Sequence, residues 1–298
     1  MDDLMTSPSP NATTGRPLRR RPAWVRWMVR NRTILPALLI IGLLVFFALF
    51  SKMLSPYDPL TTNLPEKLKP PMSEGHFLGT DGLGRDMIAR LLFGARISLI
   101  VGLGAVFISG GIGVLVGLVS GYFSGKVDAL LMRLGDIQLG FPSFLMAISI
   151  MAAWGTGLEK VILAISISGW VTYARVTRAQ VLSLREKEYV EAARAAGNSN
   201  LRIMFSHILP NTMAPIIVIA TFQVALSIMA EASLSFLGLG VTPQTPTWGS
   251  MLAEGRDYMR TAWWVATFPG LAILFTVMGV NMLGDWMRDH WDPRLRKR

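Results

Sequence analysis

Six stretches of the chain are apolar over the length a helix needs to cross a bilayer, and polar segments separate them. A hydrocarbon layer about 30 Å thick requires roughly 17 to 25 mostly apolar helical residues. Residues 33–53, 98–122, 134–155, 161–181, 212–231 and 264–284 meet that requirement. Leu234 to Val241 is apolar but too short to cross, and its re-entry into the membrane would change the count to five or seven. The pattern predicts an all-α, polytopic membrane protein with six transmembrane helices. Three connections are long, 54–97, 182–211 and 232–263, and long connections in a compact protein commonly carry function.

Finer patterning adds detail. The first long connection contains Pro56, Pro59, Pro65, Pro70 and Pro71, which predicts extended chain lying over the surface. From Arg85 to Ile97, apolar Met87, Ile88, Leu91, Leu92 and Ala95 fall near helical spacing, which predicts an amphipathic helix in the bilayer interface. Gly113, Gly117, Gly121 and Gly125 recur at i, i+4, a spacing that lets helix backbones approach closely in lipid. Such a stripe serves internal packing, a translocation path or contact with a second subunit. Pro142 and Pro269 predict a kink or an end in the third and sixth spans.

Composition agrees with a membrane protein: 51% of the 298 residues are hydrophobic and 16% charged, against about 25% in soluble domains. The net charge of +10 is not a nucleic-acid footprint, because the Arg residues sit beside apolar runs without an aromatic platform. It is a topology signal. With the N-terminus inside, 20 of the 29 Lys and Arg fall on the cytoplasmic side, so both termini and the 182–211 connection are expected there. Residues 1–32 then form a cytoplasmic tail, partly disordered by composition, and 33–97 the first helix with its extracytoplasmic loop. Residues 98–284 form the core, and 285–298 a cytoplasmic C-terminal tail. A cleavable leader is not expected, since Ser51, Lys52 and Met53 follow the first apolar run in place of a small-residue cleavage pattern. The chain has no Cys, which excludes disulfides and thiolate chemistry.

The cytoplasmic connection is the most informative segment. Residues 184–196 are strong helix formers; Gly197 with Asn198, Ser199 and Asn200 reads as a stop and a new cap; and a second short helix is predicted from Leu201 to Pro210. Ala192, Ala193, Ala195 and Ala196 around Gly197 make a small face on which another surface can approach. Arg185, Glu188, Glu191 and Arg194 can pair along the helix or with a partner.

Glu191-Ala192-Ala193, three residues, Gly197 and then Leu209-Pro210 resemble the EAA loop of ATP-binding-cassette importer permeases. His207 stands where the general pattern has Ile, a form similar to the peptide branch, which includes dipeptide, oligopeptide, glutathione and nickel permeases. Leu78-Gly79-Thr80-Asp81, Gly84-Arg85-Asp86, the run Glu231 to Gly240, Trp248-Gly249, Phe268-Pro269-Gly270 and Asn281 to Asp285 resemble the same branch. The resemblance runs from about residue 33 to the C-terminus. It implies the type I importer permease fold in a bacterial inner membrane, with a homologous second permease, two ATPase subunits and an extracytoplasmic solute-binding protein as partners. ATP and Mg would be used by those partners, with no cofactor on this chain. Glu188, Glu191, Ala192, Ala193, Gly197, His207, Leu209 and Pro210 would couple the spans to the ATPases, and the cargo would be a short peptide. Nickel chelate, glutathione, an opine or an oligosaccharide are the alternative cargoes.

Other chemistry lacks its residues. Around Gly125-Lys126, Ser120 stands where a phosphate-binding loop needs its first Gly, and Val127 where it needs a hydroxyl. His76, His207 and His290 lie in separate segments with no second His at i+4, so neither a zinc hydrolase nor any other metal site is expected. A secondary transporter would need buried relay charges and inverted repeats, which the sequence does not display. Three residues are candidates for the substrate path. Glu231 reads either as a carboxylate at the entrance or as the hydrogen-bond anchor of the following Ser-rich turn, Trp248 as a stacking surface or an interfacial anchor, and Asp257 as a contact for the binding protein.

Overall fold

The computed structural model describes residues 34–242 and 244–291, so the expected tail 1–32 and residues 292–298 lie outside the described residues. Among the described residues there is helix, turn and loop but no strand, only two isolated bridges at Ser73–His76 and Thr80–Asp86. The helices are α1 (Ile34–Leu54), α2 (Met87–Phe123), α3 (Gly125–Leu139), α4 (Ser143–Trp154), α5 (Leu158–Leu184), α6 (Glu188–Ala195), α7 (Asn200–Phe236), α8 (Trp248–Arg256) and α9 (Trp264–Trp291).

By length and composition α1, α2, α7 and α9 can cross a membrane, and the bent pair α3–α4 brings the count to five, where six was expected. The expected span 134–155 is that pair, bent by 83°. Gly140 and Pro142 lie in the break, and Pro142 has no N–H to carry a helix ladder through it. The expected span 161–181 is α5, whose 27 residues include Glu159, Lys160, Arg175 and Arg178. Glu159 and Arg175 are exposed and Arg178 pairs with Asp128, while another face of α5 lies along α2, with Ile162 beside Gly104 and Val181 beside Gly121. Residue numbers rise together on both helices, so α2 and α5 run parallel and α3–α4 returns the chain between them.

That parallel pair is the core of the fold. An added Cβ at Gly113 or Gly117 would come within 3.0 Å of the Trp170 or Ala174 carbonyl oxygen, and one at Gly121 would meet Val181 Cβ at 2.7 Å. Backbone therefore packs on backbone where lipid supplies no hydrophobic drive for association. Gly125 does not continue the stripe: it starts α3 with φ +57°, and no atom lies within 4 Å of its Cβ position.

Four further expectations change. Residues 85–97 are not a separate interfacial helix, since α2 runs unbroken for 37 residues, about 55 Å. Its first turns are capped by Asp86, which accepts from Ala89 N–H at 2.8 Å, and are buried beneath α8 and α9 through Met87, Ala95, Trp248, Met251 and Trp264. The proline-rich connection is a folded loop with a 3-10 turn at Leu64–Glu66 and long-range backbone bonds such as Asn63 N–H to Leu83 O at 3.0 Å. Pro210 does not end a helix; a π-helical segment, Ile203–Ile208, widens the turn so that Leu209 N–H reaches Met204 O and α7 continues. Residues 285–291 of the expected C-terminal tail continue α9 as helix. The stretch after Glu231 stays helical to Phe236 and then closes in a Schellman turn, with Gly238 at φ +76° and Leu239 N–H bonded to Leu234 O at 2.9 Å.

Candidate functional site

The segment from Arg185 to Leu209 forms a compact hairpin at one end of the bundle. α5 ends at Leu184, so α6 begins at Glu188 and not at 184; residues 185–187 make the turn between them. α6 closes in a second Schellman turn: Gly197 takes φ +77°, its N–H bonds to Arg194 O at 3.0 Å, and Asn198 N–H bonds to Ala193 O at 3.2 Å. Ser199 Oγ then accepts from Arg202 N–H at 3.4 Å and caps the start of α7. The stop and cap expected from Gly197 to Asn200 are both present.

One face of the hairpin is core. Val190, Ala193, Ile203, Met204 and Ile208 are buried against Leu118 of α2 and Val181 of α5. Burial separates the alanines: Ala193 packs inward, while Ala192, Ala195, Ala196 and Gly197 are exposed. Glu188 and Glu191, in the first turn of α6, are exposed, as are Tyr189, Leu201 and Phe205. His207 is half-buried in the π segment with Nδ1 3.4 Å from Arg202 O; Leu209 is half-buried and Pro210 exposed beside it.

Polar ties fix the hairpin to the end of α2. Arg185 Nη1 donates to Gly121 O at 3.2 Å and to Ser124 Oγ, so a cation closes the C-terminus of a long helix. Tyr122 donates its hydroxyl to Asn200 Oδ1 at 2.8 Å, bridging α2 to the start of α7. Arg178 bonds Asp128 twice, at 2.5 and 2.6 Å, and so links α5 to α3. The Tyr122–Asn200 bridge spans 78 positions and has no local signature.

A second polar centre, about one α2 length away, joins Asp81 and Arg85, which the sequence offered only within family-like stretches, to Arg90 and Glu254, which it did not mark. Asp81 and Arg90 are fully buried, and Arg90 bonds Asp81 while gripping Glu254 of α8 at 2.6 and 3.0 Å. Arg85 bonds Asp81 at 2.6 Å and Glu254 at 2.7 Å. Two cations and two carboxylates thus join the loop, α2 and α8. Beside them His76 lies between Asp86 Oδ2 at 2.8 Å and Glu66 Oε2 at 3.2 Å. Burial opposes the charged ring, but the bonds to Asp86 and Glu66 outweigh it and hold the His76 pKa above its usual value. Bonds from Lys69 and His76 hold the Glu66 carboxyl below its usual value.

Two of the three candidates for a substrate path lie on packed elements, since Gly249 beside Trp248 rests against Ala232 beside Glu231, and Asp257 follows the end of α8. Trp248 is buried in the core beside Met87 and Trp264, with Nε1–H donating to Leu91 O at 3.0 Å. Glu231 is buried and accepts from the Ser235 hydroxyl at 2.6 Å, the geometry of a turn anchor. Asp257 is exposed and pairs with Arg256 at 3.4 Å.

Residues 113–297 match the family described as binding-protein-dependent transport system inner membrane component, and residues 22–71 match the N-terminal TM domain of oligopeptide transport permease C. The chain is 43% identical over 99% of both lengths to the di/tripeptide transport system permease protein DppC of Pseudomonas aeruginosa (strain UCBPP-PA14). It is 42% identical to the oligopeptide transport system permease protein OppC of Bacillus subtilis (strain 168), over 92% of this chain and 90% of that one. The glutathione transport system permease protein GsiD of Pectobacterium atrosepticum is 40% identical over 93% and 91%. In fold, the chain is similar to a chain of the inward-facing MetNI methionine ABC transporter, with TM-score 0.52, 18% identity and coverage of 67% of this chain and 95% of that one.

Proposed function

Because the chain belongs to the family of binding-protein-dependent transport system inner membrane components, we propose that it is the permease half of an ATP-driven importer of short peptides. It pairs with a homologous permease, is driven by two ATPase subunits that use ATP and Mg, and receives cargo from an extracytoplasmic binding protein. Six crossings are completed by α5, with both termini and the hairpin on the cytoplasmic side, as the distribution of Lys and Arg favours.

The observation that carries this reading is the two-sidedness of the hairpin. Its inner face is packed on α2, α5 and the start of α7 through Val190, Ala193, Ile203 and Ile208, while Glu188, Glu191, Ala192 and Gly197 face outward. A partner that seats on the outer face and moves therefore moves three helices together. Such a displacement drives transport when the partner's nucleotide-bound state favours one arrangement of the bundle over the other. Ala193 acts from within by allowing α6 to lie close on the core, and His207, Leu209 and Pro210 set the widened turn that aims the hairpin.

Peptide cargo rests on the names of the similar permeases, and glutathione, itself a tripeptide, is the nearest alternative. The deciding experiment reconstitutes the assembled transporter with Glu191→Lys or Gly197→Val. ATP hydrolysis stimulated by loaded binding protein is expected to fall at least severalfold in each, with uptake falling in parallel. Wild-type stimulation and uptake in both variants would remove the hairpin from the coupling path.

A further inference from the structure

α1 and α2 enclose a cleft of about 600 Å³ that opens beside the apolar stretches, at the end of the bundle far from the hairpin. Its walls are Val45 and Leu49 of α1 and Leu99 and Leu103 of α2, and its rim carries Lys52 and Arg96. Both cations sit at the boundary of an apolar run: Lys52 in the last turn of α1, and Arg96 immediately before the 98–122 stretch. Both are exposed, and among the described residues neither has a hydrogen-bond or ion-pair partner. Arg85, Arg90, Arg178 and Arg185, by contrast, are all engaged.

A second cleft, of about 380 Å³, meets the first at Ser51 and Lys52. Its lining sets Ser55, Tyr57 and Asp58 among Pro56, Pro59, Leu60 and Phe93. Asp58 Oδ1 accepts from Leu60 N–H at 2.8 Å and Ser55 Oγ donates to Tyr57 O at 3.3 Å, so the second Asp58 oxygen and the Tyr57 hydroxyl are the groups this cleft offers where the first presents cations. The joined clefts thus offer hydrogen-bonding groups, two cations without side-chain partners among the described residues, and an apolar trough.

We propose that these two clefts hold one glycerol-headed anionic phospholipid, with its phosphate between Lys52 and Arg96. One acyl chain lies along Val45, Leu49, Leu99 and Leu103, and the headgroup glycerol donates hydroxyls toward Ser55, Tyr57 and Asp58. The charge pattern selects this occupant. A choline headgroup would bring a second cation and no donor, and a protein helix would need its own acid at the level of Lys52 and Arg96. Simple snorkelling of the two side chains to the interface needs neither the trough nor the polar cleft.

The test uses the assembled transporter in mild detergent, stripped of lipid and titrated with phosphatidylglycerol under native mass spectrometry. Wild type is expected to hold one phosphatidylglycerol per copy of this chain in preference to phosphatidylcholine, and inorganic phosphate is expected not to displace it. Lys52→Ala and Arg96→Ala are each expected to weaken retention about fivefold and the double variant about thirtyfold, from roughly 1 kcal/mol per basic residue. Lys52→Arg with Arg96→Lys should retain the lipid. Leu103→Trp, which fills the trough and leaves both cations, should lower retention in a complex that still elutes as one assembly. Wild-type retention in the double alanine variant, equal retention of phosphatidylcholine, displacement by inorganic phosphate, or cross-linking of Leu49→Cys to a second permease chain would each overturn the site.

Discussion

Arg185 lies at the C-terminus of α2, donating to the Gly121 carbonyl oxygen at 3.2 Å, although the two residues are 64 positions apart. The same Gly121 packs on Val181 of α5, the helix that leads into Arg185. One point therefore joins two long helices to the entrance of the hairpin.

Arg185→Ala should loosen that joint without dismantling the bundle. Hydrogen bonds to a charged group are worth about 1.5–3 kcal/mol, and Arg185 is partly exposed, so the lower end applies. The ratio of cargo moved to ATP hydrolysed by the reconstituted transporter should fall severalfold, and Arg185→Lys should recover part of it. An unchanged ratio in the alanine variant would mean that the guanidinium is ornamental to coupling.

Gly197 tests backbone conformation alone, because its φ is +77° and no atom lies within 4 Å of its Cβ position. Gly197→Ala should cost roughly 1 kcal/mol through the left-handed conformation, Gly197→Asn less, and Gly197→Val more. Stimulated ATPase activity should follow that order; a ranking by side-chain volume instead would point to a steric contact with a partner.

The glycine stripe predicts a graded series on one helix. Gly117→Leu should drive α2 from α5 and cost about 3 kcal/mol or more through overpacking. Gly111→Ala, with open space around it, should be neutral or slightly stabilising. Thermal unfolding in detergent separates them, and equal melting temperatures would refute the close α2–α5 contact.

Asp81→Asn should be among the most damaging substitutions outside the spans. Asp81 is fully buried and serves Arg85 and Arg90, and breaking a buried ion pair costs about 3–5 kcal/mol because a charge is left uncompensated. Glu254→Gln should do less, since Glu254 is in part solvated. Folded yield from membranes, with melting temperature, reads both.

The loop around His76 should loosen at both ends of the pH scale. A raised histidine pKa contributes stability that is full below its ordinary value of 6.5 and is lost as pH rises through the folded value. Glu66, held below its ordinary 4.5, contributes above that value and loses its share as pH falls through the folded one. Amide protection over residues 63–86, taken relative to the intrinsic exchange rate at each pH, should therefore be highest between those limits. His76→Gln should abolish the alkaline change, and persistence of that change in the variant would assign it to another group.

Much of this protein is legible in local chemistry. Apolar runs of bilayer length mark α1, α2, α7 and α9, because every backbone polar group in lipid must be satisfied within a helix. Gly197 and Ser199 mark the turn of the hairpin because only particular residues tolerate a left-handed stop and an N-terminal cap. Periodic glycines mark a close helix contact, and the alanine-glycine pattern marks the family.

Tertiary structure decided what local spacing could not. Which alanine of the hairpin turns inward depends on Leu118 and Val181, far off in the chain. Whether residues 85–97 rest on lipid or on protein depends on Trp248 and Glu254, whose partners Leu91 and Arg90 lie 157 and 164 positions away. Pro210 reads as a break until the π turn before it supplies the space, and the parallel packing of α5 on α2 rests on contacts between distant residues such as Gly121 and Val181. Local rules specify what a segment can form alone; burial is a property of its neighbours, and in this chain the neighbours that matter come from distant helices.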